Sequence, residues 1–352
     1  MLNSFCRYYL VGATNKRLII NIFLFLFFKK KHNLHSLNDS SSLLFLESKY
    51  KRRNDYNELV ASFLSYDKST CLEKVVLTNS FSFIQPFLYI TSYLKYIFRS
   101  NVKISLKGMT LFLCALKYED FYSKCDAFFE KNRRLKEVIT FCDAHPYLNI
   151  IASSAKKHNM LTFTLQHGFY RRVHRTNPNS LAYRNFISDF MYVWDEQSLT
   201  ALVKCNISAN RLIVKNYNNF NQSARISSVA NCYGLVLNGP NGFSDNKTLI
   251  NLAIVLAKRD KKKVLVRLHP NDYLLKYLLL FILKKKYIES ITHCDSNSYY
   301  KKVSFSFINN SGLIREFNIM NHDYAAVDLN LDREFKLISK RLITIDSIKE
   351  KK

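Results

Sequence analysis

From residue 137 onward, short β-branched apolar runs alternate with helical stretches, and each run stops at a polar residue or a glycine. Val138-Ile139-Thr140-Phe141-Cys142 reads as a strand ending at Asp143, and Leu148 to His158 reads as a helix. Leu161 to Leu165 is a second strand, ending in Gln166-His167-Gly168, and Met191 to Trp194 a third. The same rhythm returns later. Tyr233 to Leu237 is a strand followed by the tight loop Asn238 to Gly242, with Ser244 or Asp245 as the N-cap of a helix running to Lys258. Val264 to Leu268 ends in His269-Pro270, Val303 to Ile308 ends in Asn309-Asn310-Ser311-Gly312, Leu313 to Ile319 is a helix, and Tyr324 to Val327 closes the series. Alternation of this kind predicts parallel sheets whose functional groups collect beyond the carboxyl ends of the strands.

Residues 216–231 are polar and weakly patterned, a linker between the two series. The chain is therefore expected to be α/β, with two Rossmann-like parallel-sheet domains and an interdomain cleft. Their expected limits are 1–220 and 221–330, with 331–352 as a helix or tail packing back on the first domain. Upstream the pattern is less regular. Residues 32–60 read as loops and a surface helix around the island Leu43-Leu44-Phe45-Leu46, and Lys131 to Glu137 as a charged helical face.

The apolar run Leu18 to Phe28 lies between Lys16-Arg17 and Lys29-Lys30-Lys31. It is far shorter than the ~20 residues a spanning helix needs, and lysines stand where a signal peptide would carry a small-residue cleavage site. It is either a buried element of the first domain or an interfacial anchor with a polybasic collar. The basic flanks favour the anchor, which places the protein in the cytoplasm, peripheral on the anionic inner face of the plasma membrane.

Composition narrows the classes. With 352 residues and 48% hydrophobic content, the chain has material for two cores. Its 53 Lys+Arg against 27 Asp+Glu give +26, an attraction for polyanions that a Lys-rich coding bias also contributes to. No zinc-finger spacing, RNP-like aromatic motif or helix-turn-helix signature accompanies that charge, so nucleic acid is not an expected partner. The eight cysteines are scattered without a C-x-x-C pair and read as reduced, buried thiols.

The candidate chemistry sits at strand ends. Arg267 and His269 are delivered to the end of one strand, and Pro270, lacking an N–H, stops its ladder. A guanidinium and an imidazole there suit an anionic phosphate. Asn310, Ser311 and Gly312 open a helix whose free N–H groups form a further anion site, and the loop bearing Gly239 and Gly242 is a third candidate. Glu316, one turn on, is placed to accept from ribose hydroxyls. In the first series, His167 has an imidazole suited to taking a proton from a sugar hydroxyl, and Asp143 is the rival base. Gln166 and Gly168 flank that histidine. Arg171, Arg172, His174 and Arg175 follow it, either neutralising a phosphate-bearing acceptor or forming a solvated basic loop. No Asp-x-Asp occurs in the chain, so a nucleotide diphosphate would be held without Mg²⁺ or Mn²⁺. No metal or other cofactor is expected.

The run Thr162 to Arg171, with Tyr183, Ser188-Asp189 and Tyr192-Val193-Trp194, resembles bacterial capsule and O-antigen transferases, in which a Gln-His-Gly follows a strand and a Val-Trp-Gly-like strand comes later. Arg267-x-His269-Pro270 with Ser311-Gly312 resembles the His-Pro and Ser motifs of bacterial sialyl- and polysialyltransferases, and is similar to the donor site of teichoic-acid glycerophosphotransferases. The resemblance covers about residues 137–320. It implies the GT-B fold and an inverting, metal-independent glycosyltransferase of surface-polysaccharide synthesis. Its implied partners are a nucleotide-sugar donor, first choice a CMP-sialic-acid-like one with UDP or CDP sugars next, and a lipid-linked or oligosaccharide acceptor. His269 and Ser311 would bind the donor phosphate, and His167 or Asp143 would be the base. A non-catalytic polysaccharide-assembly protein of the same fold is the alternative class. Two departures stand out: Asp195 where the pattern has Gly, and Asn-Ser-Gly where it has a Ser-Ser or Ser-Thr pair.

Overall fold

The computed structural model describes residues 15–31, 42–47, 60, 72–100, 105–166, 168, 170, 185–215, 232–239, 242–270, 272–294, 296–331 and 333–344. The chain divides into two compact units, Met1–Tyr217 and Asn218–Lys352.

The first unit runs α1 (Asn15–Phe27), β1 (Phe28–Lys31), β2 (Ser42–Glu47), β3 (Leu72–Phe81), α2 (Ile84–Ser100), α3 (Leu106–Lys131), β4 (Glu137–Phe141), α4 (Pro146–Lys157), β5 (Leu161–Leu165), β6 (Phe190–Val193), α5 (Glu196–Lys204) and β7 (Leu212–Val214). Its seven described strands lie in the order β1-β3-β2-β4-β5-β6-β7. All neighbours are parallel except β1, which pairs antiparallel with β3. The apolar island Leu43-Leu44-Phe45-Leu46 is not a loop: it fills β2, an interior strand between β3 and β4, every side chain buried. A strand covered on both faces reads as a continuous apolar run with no period of two, and four such residues do not announce a strand. Lys131 to Glu137 also differs from expectation, since α3 ends at Lys131 and Glu137 already starts β4.

Local chemistry places the helix starts. Ser105 caps α3 by accepting from the Gly108 N–H at 3.0 Å. Pro146 opens α4, where its missing N–H costs nothing. The run Leu18 to Phe28 becomes α1 and the first residue of β1. Leu18, Phe25 and Leu26 are buried, while Ile19, Ile20, Phe23 and Leu24 remain exposed. Lys117 of α3 donates to the carbonyls of Leu24, at 3.2 Å, and Phe28, closing the end of α1. No described helix is long and apolar enough to cross a membrane.

The second unit runs β8 (Cys232–Val236), α6 (Phe243–Arg259), β9 (Lys263–Arg267), α7 (Leu278–Lys284), β10 (Ile288–Thr292), α8 (Ser296–Tyr300), β11 (Phe305–Ile308), α9 (Leu313–Ile319), β12 (Tyr324–Val327), α10 (Arg333–Ile338) and β13 (Leu342–Ile343). The sheet order is β10-β9-β8-β11-β12-β13, every pair parallel. Counted within the domain this is 3-2-1-4-5-6, the doubly wound order, and it reverses between β8 and β11. Leu235, Val264 and Val266 pack against Leu249, Ile250 and Ala253 of α6, all buried. Each buried branched side chain there contributes about 1.5–3 kcal/mol. Residues 333–344, expected as a tail returning to the first domain, instead add α10 and the edge strand β13 to this second sheet.

Candidate functional site

The reversal point of the second sheet brings three predicted segments together. Val236 pairs with Arg267, and Leu235 with Phe307, so β8, β9 and β11 end at one level. Gly239, His269 and Ser311 follow those ends. The His269 ring stands over Gly239, its Cγ, Cδ2 and Cε1 each 3.9 Å from where a Cβ on that glycine would lie. His269, Gly239, Asn310 and Ser311 are all half-buried, open enough for a ligand to touch. Pro270 and Gly312 are exposed.

A chain of side-chain amides beneath this rim fixes the loops. Asn246 of α6 accepts from the Asn238 N–H at 2.8 Å and donates to its carbonyl at 3.2 Å. The Asn238 amide donates to Asn309 Oδ1 at 3.0 Å, across the reversal point. Asn309 in turn donates to the carbonyls of Val327 and Leu329 at 2.7 and 3.0 Å. On the other side Asn246 donates to the Tyr277 hydroxyl at 2.9 Å, and Tyr277 donates to Asp272 at 2.7 Å. Asp272 closes the His269 turn, its N–H donating to the His269 carbonyl at 2.9 Å. Burial by itself would raise the Asp272 carboxyl, but hydrogen bonds from Lys276 and Tyr277 outweigh it and hold the group below the usual carboxylate range. Burial first, and the Asp272 carboxylate second, push the Tyr277 hydroxyl well up.

Asn238 and Asn309 stand at run ends that the sequence pattern marks, whereas nothing in the sequence marks Asn246, Asp272 or Tyr277 as bracing residues. Asn246 and Tyr277 look like ordinary helical positions, and only the fold shows that they meet. The cap of α6 also differs: Gly242 holds that position, and a Cβ there would lie 2.9 Å from the Asn238 Cβ. Gly242 is thus required by the close approach of Asn238, which the tight loop demands.

Arg267 and Glu316 face a different neighbourhood from the one expected. Arg267 donates from Nε to the Cys294 carbonyl at 3.1 Å, and its guanidinium lies 5.6 Å from the centre of the Tyr299 ring. Glu316 accepts from the Tyr300 hydroxyl at 3.3 Å. Both are engaged with α8, on the sheet face that also carries Gly234 and Ser306. Ser311 accepts from the Leu313 N–H at 3.4 Å, a short turn at the start of the seven-residue α9.

In the first domain, His167 and Arg171, Arg172, His174 and Arg175 lie outside the described residues. The residues around them are braced. Gln166, expected beside the acceptor, is 1% exposed and acts as a staple. Its amide donates to the Gly168 carbonyl at 2.7 Å and the Ser198 hydroxyl at 2.9 Å, while its Oε1 accepts from the Trp194 N–H at 2.9 Å. Trp194 Nε1 donates to the Gln166 carbonyl at 3.0 Å. Gln166 and Gly168 are thus joined to Trp194 and Ser198 in one hydrogen-bonded corner. Asp195, the departure from the Val-Trp-Gly pattern, caps α5 by accepting from the Ser198 N–H at 2.7 Å, in an extended conformation that needs no glycine.

Asp143 is likewise internal. Cys142 takes a left-handed turn (φ 66°), and the Asp143 N–H donates to the Thr164 hydroxyl at 2.9 Å, so the residue lies beside β5 and not beyond the end of β4. Its Oδ2 accepts from the N–H groups of Ile187 and Ser188 at 3.0 and 2.7 Å and from the Ser188 hydroxyl at 2.6 Å. Burial raises its pKa, and these hydrogen bonds work against that rise. With 0% exposure it cannot meet an acceptor hydroxyl in this conformation; it brackets the chain entering β6. Among the described residues no group of three or more His, Cys, Asp or Glu is placed to hold a metal ion.

Two Rossmann-like α/β domains, with six parallel strands in each sheet, make the fold GT-B-like. Solved structures of the same fold include UDP-GlcNAc 2-epimerase from Neisseria meningitidis bound to UDP-GlcNAc, at TM-score 0.55 and 11% identity over 88% of this chain and 90% of that one. UDP-GlcNAc 2-epimerase from Methanocaldococcus jannaschii aligns at TM-score 0.52 and 12% identity, over 88% and 90%. S. aureus MnaA with UDP aligns at TM-score 0.52 and 12% identity, over 89% and 87%. By sequence, the chain matches no protein-family model and no curated protein.

Proposed function

We propose that this chain is an enzyme acting on a nucleotide-activated sugar, with the nucleotide diphosphate seated at the reversal point of the second sheet. The observation that carries this reading is the convergence of Gly239, His269 and Ser311 at the point where a doubly wound sheet binds nucleotides, over a floor braced by side-chain amides. The His269 imidazole, in van der Waals reach of Gly239 at this rim, supplies an N–H donor to a pyrophosphate seated beside it. The structures of like fold carry UDP or UDP-GlcNAc. That moves a uridine diphosphate donor ahead of the CMP-linked one implied by the His-Pro and Ser resemblance.

The activity we assign is inverting, metal-independent glycosyl transfer in surface-polysaccharide synthesis, to a lipid-linked or oligosaccharide acceptor. In that reaction the acceptor oxygen forms a bond to the anomeric carbon as the bond from that carbon to the diphosphate oxygen breaks. The acceptor proton passes to a base, for which His167 is the candidate, and the negative charge stays on the departing nucleotide, beside His269 and Ser311. The fold neighbours support a second reading, epimerisation of the sugar on the intact nucleotide.

A thermal-shift panel of UDP, CDP, CMP and GDP tests the binding step, since a ligand bound only to the folded state stabilises by about 2.7 kcal/mol at a hundred times its Kd. UDP is expected to raise Tm most, and no shift with any nucleotide rejects the reading. Proton NMR of UDP-GlcNAc with the protein then separates the activities. Epimerisation changes the sugar without an acceptor, whereas transfer leaves the sugar unchanged until an acceptor is added.

A further inference from the structure

Helix α2 buries Pro86 and Tyr93 on its inner side yet turns large apolar side chains outward as well. Gln85 is buried at 7% exposure, whereas Phe83, Ile84, Phe87, Leu88 and Phe98 are 78%, 72%, 76%, 60% and 84% exposed. Ile84, Phe87, Leu88 and Phe98 fall at helical spacing on one outward stripe, where a surface helix of a protein surrounded by water carries polar residues. Helix α1 continues the surface. The Ser82 N–H donates to the Phe27 carbonyl at 2.9 Å, and the rings of Phe27 and Phe81 stack at 5.6 Å with Phe83 4.8 Å from Phe81. Phe23, half exposed, lies 4.8 Å from Phe27. A contiguous apolar area of this kind marks an interaction site.

The charge around it names the partner. Residues 15–31 and 80–107 contain nine Lys and Arg and no Asp or Glu. Three of these lysines form the edge strand β1, and Lys95 and Arg99 are exposed on α2 itself. A second copy of this chain seated across the same face would set that positive collar against its own image. An anionic lipid surface satisfies both halves of the pattern at once, apolar side chains entering the acyl boundary and cations meeting the headgroups. At 13 and 17 residues the two helices are too short to span, so they lie in the interface plane. We propose that α1, β1 and α2 form a docking surface that seats the first domain on an anionic bilayer. The proposal stands apart from the nucleotide-sugar reading, because nucleotide binding is read by thermal shift and loss of either result leaves the other in place.

Flotation of the full chain with vesicles decides it, using phosphatidylcholine alone against equimolar phosphatidylcholine and phosphatidylglycerol. The expected result is binding to the anionic vesicles that weakens with salt, and little with the neutral ones. The variant Phe87→Ser/Leu88→Ser/Phe98→Ser should weaken partition by roughly tenfold per side chain removed from the acyl boundary. These side chains are exposed, so its Tm should stay near that of the parent. Lys95→Glu/Arg99→Glu should reduce the preference for phosphatidylglycerol. The proposal is overturned if the parent floats with neither vesicle, or if the triple-serine variant floats as well as the parent. It is equally overturned if that variant only converts an oligomer to a monomer, which would make the occupant another copy of the chain.

Discussion

The ring of Tyr299 occupies the space in which a side chain on Gly234 would stand. A Cβ on that glycine would lie 2.7 Å from Tyr299 Cζ, closer still to the hydroxyl, and 2.8 Å from Ser306 Oγ. Both Tyr299 and Ser306 are fully buried, and Tyr299 is bonded to Ser306 at 3.0 Å, so neither can swing aside cheaply. Gly234→Ala should destabilise by about 1–3 kcal/mol through overpacking, read as a lower urea midpoint. Tyr299→Phe, which removes the hydroxyl, should lessen that cost in the double variant, so the two effects will not add.

Ser306 also meets His322, at 2.8 Å from Nε2. Burial disfavours the imidazolium and lowers the His322 pKa, with Asp323 opposing only in part. An imidazole depressed in the folded state binds fewer protons than in the unfolded chain, so stability rises with pH. Its contribution is present above the unfolded value of about 6.5 and is lost as pH falls from there through the folded value. Tm should drop on acidification across that window, and His322→Gln should flatten the drop. An unchanged profile in the variant would show that His322 does not carry the dependence.

Asn309 holds two backbone carbonyls and Asn238 together. Asn309→Ala should cost about 2 kcal/mol, because buried carbonyls lose their donors. Since the Gly239 loop hangs from Asn238, UDP titration of the variant at a temperature where it remains folded should also show weaker binding. Full nucleotide affinity in a destabilised protein would uncouple the brace from the site.

The two histidines are expected to separate binding from chemistry. His269→Ala should weaken nucleotide affinity together with rate. His167→Ala should abolish turnover with affinity nearly intact, as a group acting on the acceptor proton requires. Parental turnover in both variants would remove them from the site.

Asp143→Ala should behave as a loss of structure. Three donors from Ile187 and Ser188 would be left in a buried place, a cost on the order of 3 kcal/mol, and any fall in activity should track the fall in Tm. A variant with normal Tm and no turnover would instead point to a chemical role.

Much of the second half of the first domain, and most of the second domain, was readable from the chain. The strands at Val138, Leu161, Met191, Tyr233, Val264 and Tyr324 appear within a residue or two of their expected limits, because each is a compact β-branched or aromatic run closed by a turn residue. The strands β7, β10 and β13 were missed, being short, half exposed or too weakly patterned to stand out. Before residue 130 the apolar pattern is a poor guide to the elements. There Leu43 to Leu46 of β2 are buried with no alternation, and the exposed apolar stripe of α2 mimics ordinary core.

Alternation of apolar runs and helices, with Gly, His-Pro and Asn-Ser-Gly at the run ends, determined without any coordinates that the chain is α/β and which strand ends could hold an anion. Tertiary structure alone decided that Gly239, His269 and Ser311 share one rim, that Asn246, Tyr277 and Asn309 brace it, and that Asp143 and Gln166 face inward. Strand order and the turning of a loop back over a sheet depend on contacts between residues tens of positions apart. Local periodicity carries no record of those contacts.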